Sequence, residues 1–145
     1  MSDETEPTAV LLDTCAIIWL ANGSPLQNGA LAKITHAALA DGVFVSPVSA
    51  WEVGMLSRPK AGREIQFLPD PATWFARVMA GPAIRLAAFI PDVAIAASHL
   101  PEPLHADPAD RLLIATARHT AMPIVTRDAK IIAYAASGHV SVIAC

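Results

Sequence analysis

Short, almost unbroken apolar runs alternate along this chain with stretches whose apolar residues recur at helical spacing. The runs Ala9–Leu12, Val43–Ser46, Ile84–Ala87, Ile124–Thr126 and Val140–Ile143 are too short for helices. They lack the polar alternation of a half-solvated strand, so they predict strands covered on both faces. Between them, Leu31, Ile34 and Ala38 fall at i, i+3 and i+7 ahead of Asp41-Gly42, a helix stop. Trp74, Phe75, Val78 and Met79 form a stripe before Gly81-Pro82, which reads as core. Val93, Ala97 and Leu100 form another before Pro101. A longer helix opens at Asp107-Pro108 and runs to about Thr120, with Leu113 and Ala117 on one face. Repeated strand–helix units of this kind predict an α/β fold, a three-layer α/β/α domain around a central parallel sheet of about five short strands. Residues 1–8 read as a disordered lead and residues 9–145 as one domain, long enough to bury a core without staples.

Composition narrows the class. The apolar fraction is 54% and the mean hydropathy +0.45, high for a soluble chain. No stretch reaches the ~18 apolar residues of a membrane span, and Asp13 breaks the best one, Ala9 to Ala21. The start, Ser2-Asp3-Glu4-Thr5-Glu6, is acidic where a secretory signal would be basic, so a cytoplasmic protein is expected. Two cysteines, Cys15 and Cys145, show no metal-ligand spacing and no reason for a disulfide. Cys15 is expected to be a buried small apolar residue. Trp19, Trp51, Phe67 and Trp74 supply more hydrophobic surface than a monomer of this size needs, which suggests a homodimer.

Ligands of open parallel sheets sit beyond the carboxyl ends of the strands, so the residues that follow each strand carry the chemistry. Asp13-Thr14 follows the first strand, Ser49-Ala50-Trp51-Glu52 the second and Thr126-Arg127-Asp128 the fourth, while Asp107-Pro108-Ala109-Asp110-Arg111 opens the long helix. Singly, each acid has a plain alternative. Ser49-x-x-Glu52 has the form of a capping box, Asp107-x-x-Asp110 resembles one, and Asp13 and Asp128 are good N-caps. Together they predict a costly convergence, because two like charges 4 Å apart repel by ~4 kcal/mol at an intermediate dielectric. A shared hard cation such as Mg²⁺, which takes oxygen ligands, relieves that cost.

These segments also carry a family resemblance. Leu11-Leu12-Asp13-Thr14, Ser49-Ala50-Trp51-Glu52-Val53, His105-Ala106-Asp107-Pro108-Ala109-Asp110-Arg111-Leu112-Leu113-Ile114-Ala115 and Thr126-Arg127-Asp128 together resemble the PIN domains. Among these, the chain looks like the VapC toxins of bacterial toxin–antitoxin pairs. The resemblance spans nearly the whole chain, and the third segment is the most specific. It implies an endoribonuclease that uses Mg²⁺ or Mn²⁺, with Asp13, Glu52, Asp110 and Asp128 as the acidic quartet. Thr14, Ser49, Asp107, Arg111 and Thr126 fall in supporting or substrate-contacting positions, and a VapB-like antitoxin is the implied partner. Ala109 stands where relatives often carry an aromatic, and Lys130 where some carry a further acid. The implied chemistry is water attack on an RNA phosphodiester, assisted by a cation held by Asp13 and Asp110, with 5′-phosphate and 3′-hydroxyl ends. Arg111 reads equally as a phosphate contact or as one half of an ion pair.

The net charge of −3 does not advertise nucleic-acid binding, but four of the 13 acids belong to this candidate site. The one basic cluster is Arg58-Pro59-Lys60-Ala61-Gly62-Arg63, which reads as a backbone-phosphate contact or as a solvated loop. His36, His99, His119 and His139 read as surface or helix-end residues, and His105 as structural although nearer the site. Three other functions compete. An aspartyl-phosphate enzyme of the haloacid dehalogenase type needs a second Asp at position 15, which is Cys15. A PIN-like scaffold that binds RNA or protein without cutting would be expected to lack one of the four acids. A DNA-directed metal nuclease shares the same chemistry, and only the resemblance favours RNA.

Overall fold

All five strands run parallel, in the order β3-β2-β1-β4-β5, and successive strands are joined through helices. The computed structural model describes residues 6–60 and 65–145. The elements are β1 (Ala9–Leu12), α1 (Thr14–Ala21), α2 (Asn28–Ala38), β2 (Gly42–Val45), α3 (Pro47–Leu56), α4 (Pro71–Met79), β3 (Ile84–Leu86), α5 (Pro91–Ala97), α6 (Pro108–Thr120), β4 (Ile124–Thr126), α7 (Ala129–Ala135) and β5 (Val142–Ala144). The expected three-layer α/β/α arrangement is present. Of the expected lead, residues 1–5 lie outside the described part. Thr8 accepts a bond from the Asp41 N–H and donates its hydroxyl to Asp41, which fixes the entry to β1 beside the start of β2.

The continuous apolar strands feed two cores because successive side chains point to opposite faces. On one face Leu11 and Ile124 pack with Val93 and Ala97 of α5, Leu113, Ile114 and Ala117 of α6, and Ile131 and Tyr134 of α7. On the other, Val10, Leu12, Val43, Val45 and Val125 pack with Ala16 and Ile17 of α1 and Ala30, Ile34 and Ala37 of α2. The stripe Trp74, Phe75, Val78 and Met79 of α4 packs half-buried against this second core, with Trp74 edge-on to Phe67 at 4.8 Å between ring centroids.

Several boundaries differ from expectation. The second strand ends at Val45 because Ser46, fully buried, caps α3, its hydroxyl accepting the Val48 N–H at 3.0 Å with Pro47 at the first helical position. Ser49 is therefore already inside the helix, and the expected Ser49-x-x-Glu52 capping box does not exist. The third strand ends at Leu86, and the fifth starts at Val142 and runs to Ala144. In α2 the buried stripe is Ala30, Ile34 and Ala37, while Leu31 is 45% exposed. The helix is rotated about one residue from the expected register, since either set has helical spacing and only the packing chooses. Gly42 enters β2 at φ +116°, a conformation that residues with a Cβ rarely adopt, so the Asp41-Gly42 stop is also a backbone requirement.

Candidate active site

Strand β1 lies at the centre of the sheet. The chain adds β2 and β3 on one side of it and β4 and β5 on the other. The crevice at such a switch point opens beyond the carboxyl ends of β1 and β4, where Asp13 stands one residue after β1 and Asp128 two residues after β4. A cavity of about 340 Å³ lies there, lined by Asp13, Thr14, Cys15, Trp19, Glu52, Asp107, Asp110, Leu113, Arg127 and Asp128. All four acids expected from the sequence meet in it, Asp13, Asp110 and Asp128 from the starts of α1, α6 and α7 and Glu52 from the middle of α3.

Local structure fixes each carboxylate. Asp13 is buried and caps α1, accepting the Ala16 N–H at 2.8 Å and a bond from the Thr126 hydroxyl. Asp128 caps α7 through Oδ1, which accepts the Lys130 and Ile131 N–H groups, and its own N–H donates to the buried Thr126 hydroxyl oxygen. Asp107 caps α6 by accepting the Asp110 N–H at 3.0 Å, so the expected box forms in that direction. The Asp110 carboxylate turns elsewhere, its Oδ2 lying 2.7 Å from His105 Nε2. Glu52 is not a cap. It accepts the Thr14 hydroxyl, which also bonds the buried Ser49 hydroxyl. Capping and site membership thus coexist at Asp13 and Asp128 rather than excluding each other.

The electrostatics record the convergence. Burial pushes the Asp13 carboxyl above its ordinary range, with repulsion from Asp110 and Asp128 adding to it against the bonds from Thr126 and Ala16. Burial raises Glu52 likewise, opposed by the Thr14 bond and reinforced by Asp110, Asp107 and Asp13. Asp110 is raised first by burial and then by Asp107 and Asp128, while His105 opposes the shift. Cys15 is exposed into this space, not buried as expected. Desolvation and the same four acids push its thiol up to about 11, so it stays protonated at neutral pH.

Glu52, Asp110 and Asp128 each commit one oxygen to a protein donor and leave the other uncommitted among the described residues. No three carboxylate, imidazole or thiol groups there stand close enough together to grip one ion unaided. Arg111 does not face the cavity. Its guanidinium donates to the Ala97 and His105 carbonyls and pairs with Glu102 at 3.5 Å, so of its two sequence readings the ion pair is the one seen. Of the basic cluster, Arg58, Pro59 and Lys60 are described, and Ala61 to Arg63 lie outside the described residues.

Two cavity residues, Trp19 and Arg127, were missed by sequence reasoning, and His105 was undervalued. Cys15 and Trp19 stand at i and i+4 on α1 just after Asp13, so their spacing already put them on the cavity side. Arg127 sits inside the Thr126-Arg127-Asp128 segment, but nothing in the spacing tells where its side chain goes.

Comparison with known proteins agrees with this geometry. The PIN domain family matches residues 10–137. Ribonuclease VapC22 of Mycobacterium tuberculosis is 32% identical over 125 residues, which span 86% of this chain and 90% of that protein. Among solved structures, VapBC2 from Rickettsia felis bound to a DNA fragment from their promoter superposes with a TM-score of 0.67 at 13% identity. That match covers 94% of this chain and 98% of that one. FitAcB from Neisseria gonorrhoeae superposes at 0.54 with 17% identity, covering 92% and 96%. The two structural likenesses show the fold; with the family match and the identity to VapC22, they establish that this chain belongs to the PIN-domain family, in its VapC group.

Proposed function

We propose that this protein is a divalent-metal-dependent endoribonuclease and the toxin of a toxin–antitoxin pair. The observation that carries the reading is the meeting of Asp13, Glu52, Asp110 and Asp128 in one cavity, three of them held above the ordinary carboxylate range. Such a cluster is unfavourable when empty of cations and favourable around one.

The donor set fits Mg²⁺ or Mn²⁺. It is all oxygen, three acids keep an uncommitted oxygen, and Mg²⁺ commonly takes one or two carboxylates while water and phosphate fill its remaining positions. That habit suits a cavity where no three groups close on an ion unaided. Asp13 and Asp110 would hold the cation, with Glu52 and Asp128 completing its inner or outer shell. When bound, the cation neutralises the phosphodiester and makes water a better nucleophile near neutral pH. The chain's own groups prepare the site. Thr126 and the Ala16 N–H orient Asp13, His105 orients Asp110, and Thr14, itself fixed by Ser49, orients Glu52. Water would attack in line, leaving 5′-phosphate and 3′-hydroxyl ends.

Relatives support the partners. The M. tuberculosis protein is named a ribonuclease, and the R. felis structure is of a VapBC pair. An antitoxin of VapB type is the partner inferred here, and a cytoplasmic setting follows from that role. Among the described residues no helix is long and apolar enough to cross a membrane. The exposed Trp51, Leu86, Phe89 and Ile95 supply apolar surface for a homodimer or an antitoxin segment. The test is cleavage of end-labelled single-stranded RNA by the purified protein. Mg²⁺ or Mn²⁺ should support it, EDTA should stop it, and the products should carry 5′-phosphates. Cleavage that persists in EDTA, or ends in cyclic phosphates, refutes the reading.

A further inference from the structure

An RNA phosphate that approaches this cavity meets carboxylates from four directions, so a cation supplied by the protein decides how it is received. Among the lining residues Arg127 is the one cationic side chain. It is exposed, yet it does not fold onto its neighbour Asp128 or onto Asp13. The ion pairs among the described residues are His105–Asp110 and Arg111–Glu102, and Arg127 is in neither.

Its other contacts hold it off. Its guanidinium carbon lies 3.7 Å over the Trp19 ring, Nε donates to the Cys145 main-chain oxygen at 3.1 Å, and Nη2 donates to the Pro25 carbonyl at 3.2 Å. Trp19 in turn packs against the second core, so the platform is rigid. A guanidinium has five N–H donors in a planar fork matched to phosphate oxygens. Two bond main-chain oxygens and a further bond reaches the Cys145 thiol, which leaves at least two for a ligand. A flexible arginine beside four acids would collapse into an ion pair and neutralise a metal ligand. A clamped one keeps both charges apart and available.

We infer that Arg127, clamped over Trp19, is the residue that binds an RNA phosphate beside the acidic cavity and so holds the strand there. The inference rests on the ribonuclease reading above. Its rival is a purely structural one, in which Arg127 only ties Cys145 at the end of β5 to the loop at Pro25.

Salt dependence separates the two, because each phosphate contact made to a single strand releases about 0.7 of a counterion. Single-turnover cleavage of a labelled single-stranded RNA in Mn²⁺ would be followed at several KCl concentrations. Half-saturating protein concentration and maximal rate would be read for each variant, with Mn²⁺ binding by calorimetry beside them. Arg127→Gln sets an amide N–H near the Nε position, within reach of Cys145 but not of Pro25, and removes the charge. It should raise half-saturation about 10-fold, flatten its log–log salt slope by about 0.7, and leave the maximal rate and Mn²⁺ binding within about threefold. Arg127→Lys should restore the slope but not the full affinity, since an ammonium lacks the planar fork. Trp19→Ala should weaken binding about threefold with the slope unchanged, and Trp19→Phe should stay near the parent. An unchanged slope in Arg127→Gln, whether affinity falls or not, overturns the inference while the ribonuclease reading stands. A parent protein without Mn²⁺-dependent cleavage overturns both.

Discussion

Replacing Glu52 with Gln tests the acidic cluster at the position where a competing structural role has been removed. Helix α3 is capped by Ser46, so Glu52 holds no helix end. Its one protein bond is accepted from the Thr14 hydroxyl, and a Gln amide oxygen accepts the same bond. What the substitution removes is a half-buried negative charge that Asp110, Asp107 and Asp13 repel. A shift of one pKa unit is worth about 1.4 kcal/mol, and partial exposure to solvent screens it, so relief in the metal-free protein should be up to about 1 kcal/mol. For a domain of this size that is a melting temperature higher by about 2–4 °C at pH 7. Mn²⁺ reverses the order. At 100 times its dissociation constant a ligand stabilises by about 2.7 kcal/mol, and a tenfold weaker site forfeits about 1.4 kcal/mol of that. Differential scanning fluorimetry with and without Mn²⁺, beside an RNA cleavage assay, reads all three quantities. Gln should melt slightly higher without metal, gain less from Mn²⁺, and lose most cleavage. A variant that melts several degrees lower without metal and cuts RNA at the parental rate would refute the reasoning.

The raised carboxyls also set the pH response of the metal-free protein. Asp13, Glu52 and Asp110 have folded pKa values above their ordinary 3.8, 4.5 and 3.8, so the folded state holds protons more tightly than the unfolded one. Their contribution to stability is full below those ordinary values and is lost as pH rises through the raised ones. Melting temperature in EDTA should therefore fall as pH rises above about 4 through the raised values, less steeply in Glu52→Gln, and recover on adding Mn²⁺. An identical slope in parent and variant would count against a Glu52 carboxyl raised by burial and by its acidic neighbours. Ser46→Ala should cost about 1 kcal/mol by denaturant titration, as loss of an N-cap does. No loss would mean that α3 begins elsewhere and that Glu52 again competes for a cap.

Strand number, parallel class and the chemistry at the strand ends were legible in the sequence, because both faces of the inner strands β1, β2 and β4 are buried, although the edge strand β3 is not. Ala9–Leu12 and Ile124–Thr126 are single-valued patterns that no other element accommodates. Asp13, Asp110 and Asp128 were legible as candidates for a related reason. An acid at a strand end or in the first helical turn is locally favourable, so each one was visible as a cap, and Asp107 with them. Their being caps and site residues at once was not visible, since a cap uses one carboxylate oxygen and only the assembled crevice shows what surrounds the other. The tertiary structure alone decided the rest. Ser46 and Ser49 are both good N-caps and both fully buried, and the end of β2 at Val45, with the Val48 N–H turned onto the Ser46 hydroxyl, selected Ser46. Leu31 and Ala30 both fit a helical stripe, and the packing of α2 against the sheet turned Leu31 outward. Arg111 and Arg127 are chemically alike, yet the carbonyls of Ala97 and His105 draw one away from the cavity while Trp19, Pro25 and Cys145 hold the other beside it. Local pattern determines which groups the chain has and how far along it they stand. Which of them face one another is set by contacts between residues as far apart as Pro25 and Arg127, and no periodicity encodes those.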